Sequence, residues 1–168
     1  DIKNHKGYLY SLNKFSAEIA TKRQTDEIIK VVKSHYKKKI KILDLGCGDG
    51  RLIMAAAEKG AKATGYEISL FNYFLTKAKI LFYRRPASAQ TPGICKVKFK
   101  DFWGVNLADA DIVYFFLMPK IYKKLKDKFE KELKKGTFVV AYVWPIDGWT
   151  PVKVDKKEGK YDIYLYQT

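Results

Sequence analysis

Arginine is nearly missing from a strongly basic chain. Lysines and arginines number 33 against 18 acids, a net charge of +15, yet the only arginines are Arg23, Arg51, Arg84 and Arg85. Nucleic-acid readers favour the planar arginine fork for phosphates. The charge therefore favours acidic partners in general (nucleic acid, anionic lipid, acidic protein) without selecting one. Cysteine is equally scarce. Cys47 and Cys95 stand alone, which excludes a disulfide framework and a zinc site. Free thiols fit a reducing compartment, and a cytoplasmic location is the expectation. His5 and His35 lie outside any ligand spacing, so no metal is expected. No apolar run reaches the roughly 18 residues of a membrane span, and no secretory signal opens the chain. The sequence begins at Asp1 rather than methionine, so an N-terminal anchor or address lost from it would be compatible with this reading. There is no internal repeat and no dividing linker. The expectation is an N-terminal arm over residues 1–20, basic and carrying Tyr8, Tyr10 and Phe15, either a flap over the ligand or a membrane-surface segment, and one domain over residues 21–168.

What is present is a concentration of glycine in one place. Lys41-Ile42-Leu43-Asp44-Leu45 leads into Gly46-Cys47-Gly48-Asp49-Gly50-Arg51. An apolar strand enters three alternate glycines and a helix follows, the pattern of a nucleotide-binding strand–loop–helix. Arg51 stands where a dinucleotide fingerprint needs its third glycine, and no Gly-Lys-Ser/Thr follows. Asp44 would repel a pyrophosphate but suits a ligand with an amino group and a positive centre. A loop that merely packs strand on helix is the alternative. Residues 61–66 read as a second strand with Glu67 at its end, where doubly wound sheets place an acid for ribose hydroxyls; Glu67 can also cap the next helix. Residues 96–100 read as a third strand ending in Asp101-Phe102-Trp103, and Asp101 can also be a turn residue.

The remaining chain alternates in the same way. Thr21-x-x-Gln24 is a capping box opening a helix over residues 21–36, with Ile28, Ile29, Val31 and Val32 as its buried stripe. Residues 51–59 form the helix behind the loop, closed at Gly60. A helix begins near Ser69, and the helical spacing of Phe71, Phe74, Leu75, Ala78 and Phe82 predicts that these are core. Residues 112–117 are apolar, as in a central parallel strand. Pro119 suits the first turn of the next helix, where Ile121, Leu125, Phe129 and Leu133 make one buried face. Residues 137–144 are a fifth strand. Residues 152–154 and 162–166 predict a final hairpin across 157–160. Strands alternating with helices predict an α/β fold with a parallel sheet.

Asp44-x-Gly46-x-Gly48-x-Gly50 resembles motif I of the class I S-adenosylmethionine-dependent methyltransferases. Further segments are similar to a narrower group, the protein-lysine methyltransferases of the ATP synthase c-subunit and the adenine nucleotide translocase, with their prokaryotic relatives. They are Arg23-Gln24, Gly65-Tyr66-Glu67, Asp101-x-Trp103, Phe116-Leu117-Met118-Pro119 and Gly148-Trp149-Thr150-Pro151-Val152. The resemblance runs from about residue 19 to 152. There are departures: Ala20 stands where the family has a proline, Ser69-Leu70 where it often has Asn-Pro, and the N-terminal hydrophobic segment of the eukaryotic members is absent.

The resemblance implies a Rossmann-like sheet of seven strands, mostly parallel, with a C-terminal antiparallel hairpin. It implies S-adenosylmethionine as cofactor, held at Thr21, Asp44, Gly46, Cys47, Gly48, Gly50 and Arg51. Glu67 would take the ribose hydroxyls and Asp101 the adenine amino group with an apolar residue beside the ring, and Ile68, Phe102, Trp103 and Phe116 complete the cofactor-binding set. The implied reaction is in-line methyl transfer to a neutral lysine amine, in which the enzyme supplies mainly alignment. Phe116, Pro119 and Trp103 are the substrate-pocket candidates, with Trp144 and Trp149 as further apolar walls, and no residue reads as a dedicated base. The implied partner is a protein presenting a lysine, one carried by a membrane included, met by a monomer. An RNA or small-molecule methyltransferase, or a cofactor-binding domain without turnover, is the alternative. The Phe115-Phe116-Leu117-Met118-Pro119 strand end has no polar group to grip an amide or adenine amine.

Overall fold

A computed structural model describes residue 26 and residues 40–82, 93–156 and 160–168. Its strands are β1 Lys41–Leu45, β2 Lys62–Glu67, β3 Ile94–Phe99, β4 Ile112–Phe115, β5 Phe138–Tyr142, β6 Lys153–Asp155 and β7 Ile163–Gln167. Its helices are α1 Arg51–Glu58, α2 Leu70–Phe82 and α3 Tyr122–Glu132. The strands form one seven-stranded sheet in the order β3-β2-β1-β4-β5-β7-β6. β1 to β5 pair in parallel, and β7 runs antiparallel to both β5 and β6. This is the expected α/β architecture. The predicted helix over residues 21–36, Thr21 with it, the arm over residues 1–20 and most of the hairpin turn lie outside the described residues. Asp26 is helical and its carboxylate meets Lys59 at 2.9 Å.

The sheet is covered on both faces, which is why β4 and β5 are apolar and buried at every position. The side chains of a strand point alternately to opposite faces. Ile42, Ala63, Ile112 and Val140 therefore meet Leu52, Ile53 and Ala56 of α1 on one side. Leu45, Val113, Phe115 and Val139 meet Leu125 and Phe129 of α3 on the other. Each large side chain buried this way stabilises the fold by about 1.5–3 kcal/mol.

One expectation is overturned. Phe71, Phe74, Leu75, Ala78 and Phe82 of α2 are exposed rather than core, Phe71 by 76% and Phe82 by 79%. Thr76 is the residue of α2 that is fully buried. The inward side of α2 packs Ile80 against the core and is fixed by polar contacts: Thr76 Oγ1 donates to Gly48 O at 2.8 Å and Lys79 Nζ to Asp49 Oδ2 at 2.8 Å. Helical periodicity marks a stripe but does not say what covers it.

Candidate functional site

β1 is flanked by β2 on one side and β4 on the other, and the chain leaves its two neighbours in opposite directions along the sheet. Ligands of open α/β sheets sit at such a switch point, beyond the strands' carboxyl ends. Asp44, Glu67, Asp101 and Phe116 lie at or just past those ends, on β1, β2, β3 and β4.

The glycine loop is built to stay open. Gly46 and Cys47 donate their N–H groups to Tyr66 O at 3.0 Å, and Gly50 donates to Cys47 O at 2.9 Å. Gly50 takes φ 76° at the start of α1, and a Cβ there would collide with Thr76. Gly48 has φ 53°, and a Cβ there would meet nothing within 4 Å. At Gly48 the missing side chain thus leaves free space for a ligand. Gly65 on β2 is needed for the opposite reason, since a Cβ would press on Cys47 Sγ at 2.5 Å.

Acids rim this space. Asp44 is buried, and its carboxyl is pushed well above the usual range, first by burial, then by the charges of Glu67 and Asp49. Glu67 is also buried. Its Oε2 accepts from Gly48 N at 2.8 Å, and its Oε1 from Ile68 N at 2.9 Å and Ser69 N at 2.8 Å. One carboxylate thus ties the glycine loop to the turn that leads into α2, while the helix start itself is met by Ser69, whose Oγ accepts from Asn72 N at 3.4 Å. Burial works to raise the Asp49 carboxyl, but hydrogen bonds from Lys79 and Arg51 outweigh it and hold the group below its ordinary value. Arg51 Nε lies 2.6 Å from Asp49 Oδ2, so Arg51 is committed to the loop's own geometry. The Cys47 thiol is pushed up by burial, then by Asp44 and Glu67, and stays protonated and unreactive at neutral pH.

Beyond β3 the chain makes a 3₁₀ turn, Phe102–Gly104. Asp101 Oδ1 accepts from Trp103 N at 3.0 Å, so the turn reading of Asp101 holds, while its residue stays exposed. The turn is tethered from beneath. Lys128 of α3, its side chain only 8% exposed, donates to Trp103 O at 3.2 Å, Val105 O at 2.7 Å and Glu132 Oε1 at 2.6 Å. Glu132 Oε2 in turn accepts from Leu107 N at 3.1 Å. Lys124 Nζ sits 4.3 Å from the centre of the Trp103 ring.

At the ends of β4 and β5 stands an aromatic group. Phe116, 40% exposed, stacks on Trp144 with centroids 5.9 Å apart and planes 14° from parallel, and meets Tyr142 edge-on at 5.2 Å. Val143 between those two partners has φ 78°, a left-handed backbone rarely taken by a β-branched residue. Its N–H donates to Asp162 O at 3.0 Å. Pro119 opens a 3₁₀ turn, Pro119–Ile121, leading into α3.

The structure therefore gathers Asp44, Gly46, Cys47, Gly48, Gly50, Arg51, Glu67 and Ile68 around one loop, with Asp101, Phe102 and Trp103 on a tethered turn. Trp149 does not join Phe116. Its ring contacts Phe129 and Tyr166, and its Nε1 donates to Glu130 Oε1 at 3.1 Å. Sequence reasoning missed Thr76, Lys79, Lys128 and Glu132. Lys128 carried a signal, because it follows Leu125 by three positions and so shares the apolar face of α3.

The ANTKMT methyltransferase domain family matches residues 44–153. The chain is 35% identical to a protein-lysine N-methyltransferase of Saccharolobus islandicus over 130 residues, 74% of this chain and 77% of that protein. It is 34% identical to the mouse adenine nucleotide translocase lysine N-methyltransferase over 88% of this chain and 60% of that protein. With the mouse ATP synthase c-subunit lysine N-methyltransferase, identity is 31% over 79% of this chain and 50% of that one. The chain thus spans between half and two thirds of these mammalian relatives. In fold it is similar to an RNA methyltransferase of Salinibacter ruber solved with S-adenosyl-L-homocysteine. The TM-score there is 0.71, covering 86% of this chain and 90% of that one at 22% identity.

Proposed function

The chain belongs to the ANTKMT methyltransferase family, and from that membership we propose that it is a protein-lysine N-methyltransferase. Its donor site is the acid-rimmed glycine loop, and its acceptor site is the aromatic end of β4 and β5. S-Adenosylmethionine, the cofactor, brings a methyl group already activated on a positively charged sulfur.

The residues present fit that cofactor. Asp44 and Glu67 concentrate buried negative charge where an ammonium and a sulfonium can compensate it. Gly48 leaves room beside them. A carboxylate has about four acceptor positions. Glu67 uses three on Gly48, Ile68 and Ser69, which leaves capacity for a ribose hydroxyl. Asp101 turns Oδ1 to Trp103 N, and its other oxygen can receive an adenine amino group.

The observation that carries the lysine reading is the uncharged stack of Phe116 on Trp144, with Tyr142 at its edge, at the ends of adjacent strands. A lysine amine must be neutral to attack, and in water roughly one in a thousand is neutral near pH 7. Aromatic walls exclude water and lower the amine's pKa by desolvation, while their faces still tolerate an ammonium once the methyl is on. Alignment and desolvation are then the chain's contribution, and no side chain need act as base.

The test is transfer of labelled methyl from S-adenosylmethionine into a cell lysate, followed by separate digestion with protease and nuclease. The expected result is label released by protease and recovered as methyl-lysine. Label released only by nuclease would sink the proposal in favour of RNA.

A further inference from the structure

The apolar stripe of α2 takes no part in the site described above. Phe71, Phe74, Leu75, Leu81 and Phe82 are all exposed, three of them by more than 75%. Phe99, at the end of the edge strand β3, extends the patch and lies 5.6 Å from the Tyr73 ring at the base of the helix. Single exposed apolar residues are ordinary, but a row of them along one 13-residue helix marks a contact surface.

Charge narrows what that surface meets. Between Glu67 and Asp101 the sequence holds seven lysines and arginines and no acid. A second copy would set two such stretches, in chains of net charge +15, against one another, and like charges oppose that pairing. A folded protein partner would have to supply a groove for a convex helix as well as acids around it. An anionic bilayer meets both demands without a preformed groove. Apolar side chains enter the acyl boundary, and flanking lysines reach the headgroup phosphates.

We propose that α2 docks the protein onto an anionic lipid surface, with Phe71, Phe74, Leu81 and Phe82 inserted and Lys77 at the headgroups. Glu67, at the end of β2 just ahead of α2, accepts a hydrogen bond from the glycine loop, so docking holds the candidate site beside the bilayer. This last consequence rests on the methyl-transfer reading, whereas the docking itself does not.

The experiment uses the full chain and flotation with two kinds of vesicle. One is phosphatidylcholine alone, and the other contains about a third phosphatidylserine, a composition whose surface potential attracts basic segments. The variant is Phe71→Ser/Phe82→Ser, two exposed positions outside the donor and acceptor sites. Binding of S-adenosylmethionine and methylation of a free peptide lysine serve as controls for folding and chemistry, and failure of the latter would bear on the function proposed above alone. The expected result is binding to the anionic vesicles at least about tenfold tighter than to the neutral ones, weakened by salt and cut about tenfold or more in the variant. Equal binding by variant and wild type would overturn the proposal, as would equal binding to both vesicles or none to either. A wild-type dimer that the variant dissolves, with no vesicle binding, would overturn it in favour of a second copy.

Discussion

Replacing Lys128 by methionine removes one cation and three hydrogen bonds while keeping the length of the aliphatic stem. The ammonium bonds Trp103 O, Val105 O and Glu132 Oε1, and its side chain is 8% exposed. Each hydrogen bond to a charged group contributes about 1.5–3 kcal/mol, and breaking a buried ion pair costs about 3–5 kcal/mol. Glu132 is 24% exposed, so water recovers part of its charge. The two estimates also overlap, because one of the hydrogen bonds is the ion pair. A net loss of about 2–4 kcal/mol follows. For a domain of this size that is a fall in Tm of about 5–15 °C. The loss has a specific location, since two of the three acceptors belong to the turn that presents Asp101 and Trp103. Thermal unfolding should be paired with calorimetric titration of S-adenosylmethionine. The K128M variant is expected to lose affinity by about tenfold or more, one order per 1.4 kcal/mol. The K128R variant, which keeps the cation, should recover much of it. A K128M protein that melts within about 2 °C of wild type would refute the tether's energetics, judged on the same scale. Normal cofactor affinity in a destabilised variant would refute its role in positioning the turn.

Asp44→Asn is expected to stabilise the free protein while abolishing cofactor binding. Burial raises the Asp44 carboxyl, so ionising it in the folded state costs stability that grows as pH rises from the unfolded carboxylate range toward the folded pKa. The asparagine removes that cost, and its Tm advantage should shrink as pH falls toward about 4, where the unfolded acid also protonates; a variant less stable than wild type at pH 7 would contradict the sign. Tyr122→Phe should leave stability unchanged or raise it by up to about 1 kcal/mol. The hydroxyl is buried with no hydrogen-bond partner among the described residues, while the ring keeps its edge contact with Phe115. A loss of more than about 1 kcal/mol in denaturant titration would show a bond that this geometry lacks. Phe116→Ala should lower methyl transfer to lysine peptides by about tenfold or more with cofactor affinity within threefold or so. The wild-type rate should rise with pH past neutrality, since more of the amine is then neutral; a flat profile from about pH 7 to 9.5, with chemistry limiting, would remove the desolvation argument.

Much of the candidate site was legible because its parts are contiguous. Asp44, the three glycines and Arg51 form one strand–loop–helix, and the alternation of apolar strand and amphipathic helix locates Glu67 and Asp101 at later strand ends. The strand boundaries moved by two residues at most: the third strand, expected over residues 96–100, is Ile94–Phe99, and the fourth, expected over 112–117, ends at Phe115. Trp103, Trp144 and Trp149 looked equivalent as aromatic walls. They were separated by contacts with distant partners: Lys124 on Trp103, Phe116 on Trp144, and Phe129 with Tyr166 on Trp149.

The amino-acid sequence by itself determined the order of strands and helices, the glycine loop with its acids, and the antiparallel ending, all set by local period and backbone freedom within a few residues. Only the tertiary structure decided which side of α2 is buried, because Thr76 and Lys79 answer to Gly48 and Asp49 some thirty residues earlier. In the same way it turned a lysine of α3 into the support of a turn that precedes it by 25 residues. A side chain's spacing is a property of its own helix, but what covers that side chain is supplied by partners that only folding brings near.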